Sequence, residues 1–335
     1  MTSTSVLDRM GMFLFPWGKT PPSSAQLISA AKEVEALGLD SVHLPYFLAL
    51  DTETWPWGNE SVVDAMPLMP YVLSETERVR ASITHWSFSE FHPYFWAQYI
   101  STLAHAAPGR VMTTVALGRR TPEFQVGMSP QSEAEQRMLA GFEVFDLLMR
   151  GERVPDELSS MWDVAGLRID PAPPSDVEIW VNGKSAVEIE AAARWAHYLK
   201  PTGVSPHDVR TQLKPMLDDA AAAHGRQVRI AMSTLVHVTR PSDDPEWLRT
   251  HIEPLLEHER PGGAHGETHV YGTAEQCAEQ IEELYSSGVD YIALDMHFHG
   301  WEDLKLGMEQ LHRLVEDVVP LLSAETVSGL VARAE

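Results

Sequence analysis

The sequence is poor in cysteine, in positive charge and in long apolar runs. Cys277 is the only cysteine among 335 residues, so no internal disulfide is available, which fits a reducing, cytoplasmic setting. It recurs with Ala274, Ala278, Ile281 and Leu284 at helical spacing, the pattern of a small buried hydrophobe rather than of a reactive thiol. Lys and Arg total 25 against 48 Asp and Glu, a formal net charge of −23. A field of that sign repels nucleic acid and anionic lipid, so any anionic ligand must be held by a local cluster of donors. No run of about 18 apolar residues occurs, which excludes a membrane-spanning helix, and Met1 to Asp8 lack the apolar core of a signal peptide. A nucleophile elbow, a Walker loop and a zinc helix motif are also missing. The first turn, Phe15-Pro16-Trp17-Gly18, is no dinucleotide-binding glycine fingerprint.

What is present is a repeated strand-then-helix unit. Hydrophobic residues make up 44% of the chain and charged residues 22%, enough to bury a large core. Gly11 to Phe15 reads as a strand, and Ser23 with Gln26 forms a capping box for a helix that Gly38 stops. Strands are expected at 40–44, 79–84, 111–117, 177–181, 197–200, 228–238 and 289–294. Helices are expected at 93–104, from Ser132 (boxed by Glu135), at 186–195, 205–224 and 244–259, after Thr273 (boxed by Gln276), and from Leu304 to Pro320. About eight such units argue for parallel strands closed into a (β/α)8 TIM barrel, with insertions in the loops after the strands. Residues 1–322 form one domain on this reading and 323–335 a C-terminal tail.

In such a barrel, function sits on the loops that follow the strands. After the fifth strand comes Asn182-Gly183-Lys184-Ser185. A glycine, a cation and the free N–H groups of a helix start can hold a phosphate. The competing reading is an ordinary capped helix, since Glu188 completes a capping box with Ser185. Gly118-Arg119-Arg120 ends the fourth strand, where the arginines can clamp an anion or make a solvated basic turn. Thr84-His85-Trp86 ends the third strand and offers a proton shuttle. His43 falls inside the second strand, as a hydrogen-bonded core histidine. Asp295, His297 and His299 alternate at the end of the last strand. No third ligand is tied to the histidines by sequence, so no metal site is expected. Trp17, Trp55, Trp57 and Trp86 fall in loops and suggest an apolar, ring-lined substrate pocket. Arg260 to Tyr271, rich in glycine, is the best candidate for a mobile lid.

Several stretches resemble the luciferase-like flavin-dependent monooxygenase family, the superfamily of bacterial luciferase and alkanesulfonate monooxygenase. They are His92-Pro93 with Ala107-Pro108-Gly109-Arg110-Val111, Val115-Ala116-Leu117-Gly118, Ile179 to Ser185 with Ala191-Ala192-Ala193-Arg194, and Tyr271-Gly272-Thr273 through Gly288-Val289-Asp290. Their order is collinear over almost the whole chain. The resemblance implies a (β/α)8 barrel with a flavin ring at its mouth, and a homodimer. It implies that Gly183, Lys184 and Ser185 hold the flavin phosphate, that Thr84 and His85 lie beside the ring at a strained peptide, and that Ala116, Gly118 and Arg119 lie along the ribityl chain. The luciferase histidines after the second strand are replaced here by Tyr46-Phe47-Leu48, which argues against light emission.

The function expected is oxygenation of an apolar or aromatic small molecule by reduced FMN and O2. A separate flavin reductase would supply the FMN in a two-component system, and His85, with His297 behind it, would handle protons. The alternatives are hydride transfer by a deazaflavin coenzyme without O2, whose longer anionic tail Arg119 and Arg120 would meet, and a non-catalytic flavin-binding protein.

Overall fold

The computed structural model describes residues 5–15, 22–46, 63–118, 133–158, 161–253, 268–296, 304–324, 326 and 328–329. Nine strands appear in chain order: β1 (Met10–Phe13), β2 (Ser41–Pro45), β3 (Arg80–Trp86), β4 (Val111–Ala116), β5 (Glu178–Asn182), β6 (Tyr198–Lys200), β7 (Arg229–Val238), β8 (Val270–Gly272) and β9 (Tyr291–Asp295). Every pairing is parallel. β1 to β7 pair in succession, β7 pairs with β9, and β9 returns to β1. The result is the closed eight-stranded barrel the sequence predicts, with helices between the strands. β8 lies outside the ring. β7 is about twice as long as its neighbours, and β8 pairs only with its far end, Val236 to Val238. It thereby covers an edge that would otherwise be unpaired.

Alternation along the strands builds two cores. One face packs against the helices. The other fills the barrel with a separate cluster, Met112, Trp180, Tyr198, Ala231 and Tyr291. Gly11 also faces inward, where Ser41, His43 and Tyr291 converge. A Cβ there would lie 2.2 Å from Ser41 Oγ and 2.8 Å from His43 Nε2, so only glycine fits.

The helices follow their capping signals. Ser23 with Gln26, Ser185 with Glu188, and Thr273 with Gln276 each form complete capping boxes. Cys277 is fully buried in the last of these helices, its thiol pushed up to about 12 by burial. The helix expected after β4 is Ala134–Met149. Glu133 precedes it without a side-chain cap bond, and Ser132, the expected cap, lies outside the described residues. After β7 the chain is helical over 245–252, and the rest of the expected helix lies outside the described residues.

The structure also has a helix that the sequence analysis does not expect, Ala65–Glu75, which carries Pro67 and Pro70. Asp64 caps it by accepting from the Met66 N–H. Pro67 sits in the first turn, where an N–H needs no helical partner. Pro70 deprives the Met66 carbonyl of its helical donor, and the Tyr99 hydroxyl donates to that carbonyl at 2.7 Å. Arg110 ties down the other end, donating to the carbonyls of Leu73 and Thr76. Among the described residues no helix is long and apolar enough to cross a membrane.

Candidate active site

The strand registers stack the barrel interior into layers. At the N-terminal end, Arg80 of β3 lies between Asp40 (2.6 Å) and Glu178 of β5 (3.1 Å). Glu178 accepts from Trp180 Nε1, and Asp40 accepts from the Tyr291 hydroxyl at 2.8 Å. The Ser41 hydroxyl lies 2.7 Å from that of Tyr291 and 2.9 Å from His43 Nε2. Burial, with Lys200 and Arg80 nearby, holds the His43 imidazolium well below its ordinary range, so His43 is neutral. This is the hydrogen-bonded core histidine expected from sequence, although its Nδ1 is buried without a hydrogen-bond partner.

The next layer up is built differently. Ala116, Asn182 and Lys200 stand in register across β4, β5 and β6. Lys200 is fully buried. Its Nζ lies 4.7 Å from the centre of the Phe13 ring and 3.5 Å from His85 Nε2. Burial pushes the ammonium down to about 7, against the opposing pull of Asp295 at the end of β9. The Phe13 and His85 rings are parallel within 4° at 6.1 Å, and Phe13 stacks on Phe15 at 5.5 Å. Asn182 Oδ1 is buried without a hydrogen-bond partner among the described residues. In the loop after β3, burial pushes the Glu90 carboxyl up to about 7, although it accepts from the Ser87 N–H.

His85 reaches this layer through a strained backbone. Its φ is +70°, a left-handed conformation that non-glycine residues adopt at a cost. The register of β3 against β4 slips by one residue between Thr84 and Trp86, the signature of a bulge. The bulge turns His85 toward the mouth, with Nδ1 3.2 Å from Thr84 Oγ1. It also sends Trp86 to the opposite face. Trp86 is fully buried against Trp96, Phe88 and Phe145, and donates to Thr113 Oγ1 at 2.7 Å. The expectation that Trp86 lines a substrate pocket is therefore corrected: it belongs to the core between barrel and helices.

The turn after β5 has the shape the sequence suggests, with Gly183 at φ +134°. The Glu188 carboxylate fills it. One oxygen accepts from the N–H groups of Lys184 (2.9 Å) and Ser185 (2.8 Å) and from the Ser185 hydroxyl (2.7 Å). A Cβ on Gly183 would lie 2.0 Å from the Glu188 carboxyl carbon. The residues present thus fit a flat ring at the mouth, where a buried acceptor and a buried cation await partners. At the turn after β5, an incoming anion would have to displace Glu188.

Of the residues singled out from sequence, Thr84, His85 and Ala116 lie at the barrel mouth, and Gly118 follows β4 at φ +93°. Gly183, Lys184 and Ser185 lie at the rim, tied to β6 by a bond from the Gly183 N–H to the Lys200 carbonyl. Trp17, Trp55, Trp57, Arg119 and His297 lie outside the described residues, as does most of the expected lid. Sequence reasoning missed Lys200 and Asn182 as centrepieces. A signal existed for the first: a lysine closing a short apolar strand, where alternation with Tyr198 aims it inward. A surface groove between the helices Ser24–Ala36 and Leu304–Arg313 is lined by Gln26, Glu33, Met308 and His312 and by none of these groups.

A family model for luciferase-like monooxygenases matches residues 10–291. No curated protein matches the chain. Among solved structures, an F420-dependent secondary alcohol dehydrogenase in complex with an F420-acetone adduct aligns with TM-score 0.74 at 18% identity, over 93% of this chain and 99% of the other. A monooxygenase from Streptomyces bottropensis gives 0.71 at 19% identity, over 93% and 99%. A long-chain alkane monooxygenase gives 0.69 at 15% identity, over 96% and 95%.

Proposed function

The chain belongs to the luciferase-like monooxygenase family, and from that premise we propose that it is a flavin-dependent monooxygenase using reduced FMN and O2 to oxygenate an apolar or aromatic small molecule. The carrying observation is the flat-sided floor of the barrel mouth, with Phe13 and His85 parallel and Lys200 buried against both. Bound reduced flavin supplies the electrons that activate O2. The chain's own residues do the rest. Phe13, Trp180 and Tyr291 seal the floor against water rising through the barrel. Asn182 Oδ1 would accept a hydrogen bond from the bound flavin, beside the small side chain of Ala116. His85 moves a proton at Nε2, with Thr84 fixing the other ring nitrogen. Lys184 and Ser185 would hold the phosphate, in the place that the Glu188 carboxylate takes here. The reading includes a transient flavin reductase partner and a homodimer.

A second reading keeps the same site and uses a deazaflavin coenzyme to transfer hydride without O2. The F420-dependent dehydrogenase among the structural neighbours motivates it. Fluorescence titration with oxidised FMN, reduced FMN and F420 tests which coenzyme binds, and an oxygen electrode during turnover separates the two reactions. Stoichiometric O2 consumption supports the monooxygenase, and turnover without it supports the second reading. His85→Ala should lower turnover about 10²-fold or more. Unchanged turnover removes His85 from the chemistry.

A further inference from the structure

We propose that Lys200 Nζ, held between the Phe13 ring and His85 Nε2, is an anchor for an oxyanion, the ionised hydroxyl of an aromatic or enolisable substrate. The proposal deepens the function above by naming a substrate class, and rests on it in taking the barrel mouth as the ligand site. A fully buried lysine is costly unless something compensates its charge. Here its contacts are a ring face and an imidazole. Among the described residues no carboxylate lies within ion-pair distance of Nζ. The titratable groups facing it are His43 from β2, His85 from β3 and Asp295 from β9, with Arg80 and Glu178 a layer lower. His43 is held neutral, and Arg80 and Glu178 are already paired. Asp295 attracts the ammonium from beyond ion-pair distance, so the position against Nζ itself is left to an anion arriving from the mouth.

The ring contacts define its shape. Phe13 and His85 are parallel, so the space beside Nζ suits a flat, delocalised group. The amine is divided between its two protonation states near neutral pH. In the neutral state it receives the proton of an incoming hydroxyl: one O–H bond breaks, one N–H bond forms, and an oxyanion–ammonium pair results with no change of oxidation state. The histidine follows. An ammonium Nζ–H donates to His85 Nε2, which places the imidazole proton on Nδ1, where it donates to Thr84 Oγ1. An acidic protein that repels anions at long range thus carries one buried cation to hold them. The same oxyanion chemistry has a second source, the anionic ring of a reduced flavin, and the test separates the two.

The probe is 4-nitrophenol, whose ionised form is yellow. Purified protein without flavin is titrated with it across neutral pH, using wild type, Lys200→Met and Lys200→Gln, each checked for folding by circular dichroism. Wild type should lower the pH at which the bound probe ionises by about one unit relative to free probe, and both variants should abolish the shift and weaken binding about tenfold or more. In a second arm, reduced and oxidised FMN are titrated anaerobically. If the variants lose reduced FMN selectively and keep the nitrophenol shift, the anchor serves the cofactor ring, and the assignment to substrate is overturned. If wild type ionises the probe no better than water, or the variants match wild type in both arms, the anchor itself is overturned. If FMN binds to no form while the probe still ionises at Lys200, the anchor stands and the flavin reading falls.

Discussion

At the base of the barrel, Arg80 is gripped by Asp40 and Glu178, and those carboxylates accept further bonds from Tyr291 and Trp180. At the mouth, a layer higher, Lys200 has a histidine and a phenyl ring, and Asn182 Oδ1 has no hydrogen-bond partner among the described residues. Both ends bury a cation inside the same cylinder of strands. At the base the charged groups complete one another, as buried polar groups normally do, although Nδ1 of the neutral His43 is left over. At the mouth they are left incomplete, beside a residue in left-handed backbone. Completeness marks structure, and incompleteness with strain marks the place where something else is meant to bind.

The sharpest way to break this comparison is to remove each cation and read the sign. Lys200→Met should stabilise the protein. A pKa of about 7 in the fold against about 10.4 in the unfolded chain corresponds to about 4 kcal/mol lost at pH 7. Between those values the unfolded chain binds more protons, so wild-type stability should rise from pH 7 toward pH 10, and Lys200→Met should flatten that rise. Urea melts across this range check it, and a destabilised Lys200→Met would break the contrast. Arg80→Met should do the opposite. It strands Asp40 and Glu178 and should cost about 3 kcal/mol, at the low end for a buried pair because about a fifth of the Arg80 side chain reaches water. His43 adds a slope on the acid side: it is neutral in the fold and charges in the unfolded chain, so stability should fall as pH drops below about 6.5. Gly11→Ala comes next, at about 2 kcal/mol, because its Cβ meets Ser41, His43 and Tyr291 in a packed network that has nowhere to move.

The base and the mouth also differ in how far they could be read from sequence. The barrel was legible because capping boxes and apolar strands obey local rules: Ser23 with Gln26 and Thr273 with Gln276 formed as spelled. The helix Ala65–Glu75 was not, because the partner that excuses Pro70 is Tyr99, on a different helix. Thr84 and His85 were found by their place at a strand end. Trp86 was misread because a one-residue bulge reverses which side chain faces inward, and bulges leave no reliable mark in sequence. Lys200 was passed over because its chemistry depends on burial, which arises only when Phe13, His85 and β6 meet across the closed barrel. At the turn after β5, both readings were visible beforehand, and the structure combines them: the nest exists, and the chain's own carboxylate sits in it.

That turn sharpens the comparison with the smallest expected effect. Glu188 gives the rim the completeness of the base, but through one side chain in the first turn of the helix Ala186–Trp195, which a rotamer change can swing aside. A bound phosphate would compete for the same N–H groups and would be repelled by the carboxylate it displaces. Glu188→Ala should therefore tighten FMN about tenfold, equivalent to about 1.4 kcal/mol, while losing about 1 kcal/mol of stability with the capping box. Riboflavin, which has no phosphate, should bind wild type and Glu188→Ala equally. Fluorescence titration of the two flavins against the two proteins gives a fourfold comparison in which only one pair differs. If the substitution weakens FMN, Glu188 supports the cofactor rather than competing with it, and the rim then belongs with the completed base.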